Sequence, residues 1–315
     1  MMKYRGIVFF YIIFIGILLI FPEITVSYAY QGLVQWATRM VPTLFPFMMI
    51  SSMMIYTGID MYLVKLLRPV LQPLFPCTTN GLYVIFMGFL CGFPMGAKSS
   101  CDLRKNKKIT KTEAEYLLSF CNNIGPTYFL GVVFPILQEC GYNQKIPFLF
   151  GIYMIPLIYG IILGRMQKKS SKSHDEMENL EPLEPPKGIA ITTALRVSCF
   201  NSIQSILLLG GYVTFVNAFR IIPDIMGVSS KASAIVGSFL EIIHGIPGIY
   251  VNTHISPAWK AFWIMVSLSF SGICCMLQTS SIIIEEELSM KKYIYHKSII
   301  TGISAMYYFI ILILL

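Results

Sequence analysis

Gly92-Phe93-Pro94-Met95-Gly96-Ala97-Lys98-Ser99-Ser100-Cys101-Asp102-Leu103-Arg104-Lys105 is the stretch on which the fold turns. Ahead of it, Leu82–Leu90 is apolar but too short to cross a bilayer, which takes about 20 helical residues. Behind it, Arg104, Lys105, Lys107, Lys108 and Lys111 form the densest basic cluster of the chain. Lys65 and Arg68 stand on the other flank. A short apolar segment, broken by two glycines and a proline and basic at both ends, reads as a re-entrant hairpin. It dips into the membrane from the cytoplasm and returns there, because Lys and Arg are retained on that side.

The composition agrees with a membrane reading. Of 315 residues, 55% are hydrophobic and only 13% charged, and the mean hydropathy is +0.67. A soluble domain carries about a quarter charged residues, so an ordinary soluble enzyme is excluded. The net charge of +8 speaks of orientation in the membrane and not of nucleic-acid binding. None of the eight cysteines forms a C-x-x-C or pairs with a His at zinc spacing. They read as buried free thiols, with no metal site.

Working outward, Lys3 and Arg5 precede an apolar run from Gly6 to Phe21. Ser27-Tyr28-Ala29 offers a signal-peptidase site; the reading keeps residues 1–30 as a first transmembrane helix entering from the cytoplasm. Residues 31–165 then hold a span, the re-entrant element, a crossing from Glu113 to Pro135 broken at Asn122–Pro126, and a return span from Ile146 to Leu163. Residues 166–196 are a charged, Ser- and Pro-bearing cytoplasmic linker. Residues 197–315 repeat the plan, with Ala232–Ile243 as the short element, Ala258–Ile284 loosened at Ser271-Gly272, and a last span from Ser298. This drawing places eighteen Lys and Arg in the cytoplasm, Lys291, Lys292 and Lys297 among them, and four outside. The halves then point in opposite directions. The predicted fold is an all-α polytopic membrane protein, an inverted repeat with two re-entrant hairpins and interrupted helices, the usual build of a secondary transporter.

The interruptions hold the candidate binding residues. In lipid a free backbone N–H or C=O is costly unless protein or cavity water meets it, so Gly92, Pro94, Gly96 and Gly125 mark backbone that either packs closely or lines a site. Gly92 and Gly96 also have the small-residue spacing of tight helix contacts. Ser119, Asn122 and Asn123 supply paired donors and acceptors, and Asn122-Asn123 read equally as helix bridges. Lys98 either snorkels to the surface or offers a cation to an anionic solute. Glu241 is the carboxylate inside the second-half apolar stretch and is a functional candidate for that reason. Ser269, Ser271 and Gln278 are the polar positions of the second interrupted helix. Ala97 interrupts any likeness to a Walker A loop, which needs Gly before its Lys. Glu241-x-x-His244 has no second copy to complete a di-iron site. No nucleophile–base pair has a third member, so no catalytic residue, enzyme activity or cofactor is expected.

Three stretches resemble the Gate (nucleoside-recognition) membrane family and, within it, the sporulation integral membrane protein YlbJ group. They are Val41–Phe47, Gly92–Lys105 and Glu113–Pro126, joined more loosely by LLLGGYV, FLEIIHG and SLSFSGICCMLQTSS in the second half. The resemblance implies a fold similar to concentrative nucleoside transporters, with a site between two re-entrant hairpins and two broken helices. It implies movement of dipicolinate across a forespore membrane. The expected function is therefore a secondary transporter of a small polar or anionic solute, nucleoside-like or dipicolinate-like, in the cell membrane or the forespore membrane. The coupling ion, sodium or proton, and a homo-oligomeric state stay open. The alternative is an assembly or structural protein of the same fold that transports nothing.

Overall fold

The computed structural model describes residues 2–105, 107–170 and 190–315. All regular structure among them is helical. Five helices are long and apolar enough to cross a membrane: Lys111–Glu139, Lys145–Gln167, Ile191–Ile225, Pro257–Glu286 and Met290–Leu314. Tyr11–Ile20 and Pro22–Met54, which meet at a bend of 102°, make a sixth if counted as one span. Their outer faces carry exposed Phe200, Leu207, Leu208, Ile313 and Leu314. Such a surface suits lipid, where burying an apolar side chain against protein gains little over leaving it in acyl chains.

In chain order, α1 (Met2–Ile20) leads into α2 (Pro22–Gln35), and a π-helical turn at Trp36–Met40 joins α2 to α3 (Val41–Thr57). Ser27-Tyr28-Ala29, the triplet that also offered a signal-peptidase site, lies inside α2. Next comes α4 (Asp60–Leu71). Then α5 (Thr79–Cys91) and α6 (Met95–Lys105) pack on one another as a helical hairpin. The first interrupted helix is α7 (Lys111–Cys121), a break, then α8 (Pro126–Tyr128) and α9 (Phe134–Glu139). α10 (Lys145–Leu149) and α11 (Ile155–Ser170) complete the first half. Its counterpart runs α12 (Ile191–Ala218), α13 (Ile221–Ile225), then a second hairpin of α14 (Ser230–Leu240) and α15 (Ile242–Val251). The second interrupted helix, α16 (Pro257–Phe270) and α17 (Gly272–Ile283), precedes α18 (Met290–Leu314). The order of long helix, hairpin, interrupted helix and long helix occurs twice.

The expected linker, 166–196, is helical at both described ends, and its residues 171–189 lie outside the described residues. The last span begins eight residues before the expected Ser298. Ser289 caps it, its hydroxyl accepting from the Lys292 N–H at 3.3 Å. That shift corrects the placement of Lys297: it is a second-turn helical residue, 2% exposed, and not a cytoplasmic loop cation.

Two glutamates of the Glu113–Pro126 motif hold the first interrupted helix in place. Glu113 Oε1 accepts from the Thr78 N–H and hydroxyl at 2.7 and 2.8 Å, tying α7 to the foot of α5. Glu115 accepts from the Ser289 N–H at 3.0 Å and pairs with Lys292 at 2.7 Å, tying α7 to the start of α18. The Tyr116 hydroxyl donates to the Gly160 carbonyl, and Phe120 stacks on Phe75. All eight cysteines are free, and six are buried.

Candidate functional site

The first break follows from one residue. Pro126 has no N–H, so the Asn122 carbonyl four residues earlier loses its place in the helical ladder. Gly125 takes extended backbone ahead of the proline, and α8 restarts with Pro126 in its first turn. The freed Asn122 carbonyl accepts from Lys297 Nζ at 3.0 Å. The same ammonium group donates to Asn123 Oδ1 at 3.0 Å and lies 5.2 Å from the centre of the Phe93 ring. Asn123 is held in turn by its own amide, which donates to the Phe120 carbonyl. Among the described residues no carboxylate lies within ion-pair distance of Lys297.

Asn122 faces elsewhere. Its amide donates to the Thr279 hydroxyl at 2.9 Å and the Tyr293 hydroxyl at 3.2 Å, and its Oδ1 accepts from the Ala97 N–H at 3.4 Å. Four elements (α6, the first break, α17 and α18) are thereby joined through one side chain. The helix-bridging reading fits the contacts of Asn122, while Asn123 holds Lys297, a partner that neither reading anticipated.

The glycines of the Gly92–Lys105 motif serve close approach. A Cβ on Gly88 or Gly96 would collide with the Cys121 carbonyl, and one on Gly92 with the Gly125 backbone. Gly92 also sits at φ +76°, which a side chain disfavours. The first hairpin and the first break therefore meet backbone to backbone. Gly245 plays a similar part in the second hairpin, against the Ser238 backbone.

The remaining candidates divide clearly. Pro94, Lys98 and Gln278 line one cavity of about 300 Å³, with Asp102, Ser205 and Tyr212 on other walls. That volume sits at the lower end of small-molecule sites. Gln278 also lines a second, mostly apolar cavity of about 30 Å³ beside Gly125, Tyr128 and Ile243. Gln278 is 4% exposed, and its Oε1 has no partner among the described residues. Ser119, Ser269 and Ser271 donate to their own helices, at the carbonyls of Tyr116, Met265 and Leu268. Glu241 caps α15, accepting from the Ile243 and His244 N–H groups at 2.8 Å each and from Asn217 at 3.5 Å. It shares no hydrogen-bond partner with Asn122 or Asn123.

Sequence reasoning missed two residues. Lys297 was hidden by its company, since Lys291 and Lys292 read together with it as a loop; the spacing Asn122 to Pro126 was the available signal that a donor must exist. Arg220, one of the four basic residues that the topology drawing places outside, is the other. Its guanidinium lies beside Gly237 and Gly248, one on each limb of the second hairpin, and 5.0 Å from the Tyr28 ring. It lines a wide cavity of about 400 Å³ with Asp224, Ser233 and Asn252.

Helices of this length, with buried polar breaks and lipid-facing apolar surfaces, define a multi-pass helical membrane protein. Residues 37–139 match the family model described as Gate, nucleoside recognition. The matched segment holds the first hairpin and the first interrupted helix. The chain is also similar to the sporulation integral membrane protein YlbJ of Bacillus subtilis strain 168. The two are 25% identical over 309 residues, covering 86% of this chain and 74% of that one. Both matches agree with the resemblance carried by the first-half motifs. No solved structure matches the chain.

Proposed function

We propose that the protein is a secondary transporter of a small polar or anionic solute, not an enzyme, built as an inverted repeat whose hairpins are re-entrant. Supporting this is one observation above others: buried Gln278, with an unpartnered carbonyl oxygen, lines both the 300 Å³ cavity and the small cavity at the first break. A polar atom with no protein partner that lines two cavities is open to a solute or to water there. A transporter uses it to read its cargo. In this reading the larger cavity opens to the cytoplasm beside Lys105, Lys98 takes the acidic group of the solute, and Gln278 takes a ring nitrogen or hydroxyl.

The 30 Å³ cavity has room for one or two waters. The solute therefore waits in the larger cavity, and passage requires the contacts around Gly125 and Tyr128 to part. Alternating access of the two halves supplies that movement. The similarity to a sporulation integral membrane protein adds sporulation as a working setting, and the motif resemblance adds the forespore membrane and dipicolinate-like solutes to the nucleoside-like ones.

Uptake of radiolabelled dipicolinate and uridine into proteoliposomes tests the reading. Saturable uptake of one, above that of protein-free liposomes, is the expected result. Uptake of neither, by protein that is monodisperse before reconstitution, would favour the assembly role.

A further inference from the structure

We infer that Lys297 is the resident cation of the first break: its ammonium group holds the place a coupling cation would take, and the protein works without Na⁺. The inference rests on the transporter reading, and the first break is its subject. Carbonyls at the C-terminal end of a half-helix carry partial negative charge. In transporters with broken helices, such carbonyls are where Na⁺ is coordinated. Here α7 ends at Cys121, and the freed Asn122 carbonyl and Asn123 Oδ1 both face Lys297 Nζ at 3.0 Å. The Phe93 ring supplies a third electron-rich neighbour.

Two features separate this from an ordinary lysine at a helix end. A snorkelling lysine carries its charge to water, whereas Lys297 is 2% exposed and reaches into the protein. A structural ion pair would offer a carboxylate, and among the described residues none lies within ion-pair distance. What faces the ammonium group is two neutral oxygens and an aromatic ring, groups that would otherwise attract a free monovalent cation. A Na⁺ ion about 4 Å from it, at an effective dielectric constant near 20, would lose roughly a thousandfold in affinity through like-charge repulsion. The tethered charge therefore excludes the free one.

The test uses the purified full-length chain in detergent, with sodium alone as the probe. Saturable ²²Na⁺ binding is measured, and Tm is compared in NaCl and choline chloride at equal ionic strength. The wild-type protein should bind no ²²Na⁺ and melt at one temperature in both salts. Lys297→Ala vacates the position and should gain saturable ²²Na⁺ binding and a higher Tm in NaCl. Lys297→Met fills the space with an apolar stem and should respond to neither salt. Saturable Na⁺ binding by the wild type overturns the inference, and so does a folded Lys297→Ala that does not distinguish sodium from choline. Should Lys297→Ala fail to fold, the wild-type arm decides: saturable ²²Na⁺ binding overturns the inference, and no binding with one Tm in both salts supports it. Because no solute enters these measurements, a failure here is distinct from a failure to find transport.

Discussion

Lys297 and Glu241 are both buried charges beside an interruption, and they meet opposite ends of helices. Lys297 faces the freed carbonyl at the end of α7; Glu241 faces the first N–H groups of α15. Each has the sign that complements its helix terminus. The difference lies in their reach. Glu241 is a local cap, two and three residues from the N–H groups it accepts from. Lys297 comes from the far end of the sequence, 175 residues from Asn122. A local cap makes a helix start where it does, whereas a remote one makes the geometry of the break depend on how α18 is docked. On the transporter reading, the first break would therefore respond to any movement of α18.

The comparison can be broken in several ways. The largest effect is expected where the backbones meet. Gly96→Val places a branched side chain against the Cys121 carbonyl, which cannot retreat without dismantling the first break. Monodisperse protein should be lost on size-exclusion chromatography, and a recovered, stable variant would mean that the hairpin is loosely held. Lys297→Met comes next. It leaves the Asn122 carbonyl and Asn123 Oδ1 unpaired, at about 1–3 kcal/mol each, so a large drop in Tm should follow. Glu241→Gln is milder, because one amide oxygen still caps one N–H; a loss near 1 kcal/mol is expected. A Tm loss as large as that of Lys297→Met would erase the distinction between local and remote caps.

A double-mutant cycle sharpens the same point. Lys297→Met and Asn123→Ala share a hydrogen bond and should couple by about 0.5–3 kcal/mol. Lys297→Met and Glu241→Gln share none, and their effects on stability should add to within about 0.5 kcal/mol. Strong coupling between the second pair would mean that the two charges act on one element. At the bottom of the scale, replacing Ser171–Leu183 with Gly and Ser of equal length should leave Tm unchanged. That result follows if the stretch is the linker its composition suggests, because linkers tolerate such changes at small entropic cost.

Much of the architecture was legible because membranes tax irregular backbone so heavily. Pro126 and Ser271-Gly272 located both interruptions to the residue, and the short apolar run before Gly92 located the first hairpin. The roles of the site residues were less legible. Gly92 and Gly96 carry no mark that separates lining from packing; only the nearness of Cys121 and Gly125 decides it. Ser119, Ser269 and Ser271 looked available, yet a hydroxyl in a helix readily returns to its own carbonyls. Lys297 was lost because basic clusters read as loops, and the helix start depends on Ser289, a cap of low visibility among charged neighbours. Glu241 stood out as a carboxylate in an apolar stretch, but its role as the cap of α15 depends on where that helix starts.

On the transporter reading, the Gln278 cavity holds cargo and is not a packing defect. Uptake and Tm of Gln278→Ala and Lys98→Ala, measured on the same preparations as the wild type, test it most directly. Removing one polar partner of a bound solute costs about 1–3 kcal/mol, or roughly 5- to 150-fold in affinity. Each variant should therefore lose solute affinity on that scale without a fall in Tm. Parental uptake by both variants, or a loss of uptake that tracks a loss of Tm, would contradict it.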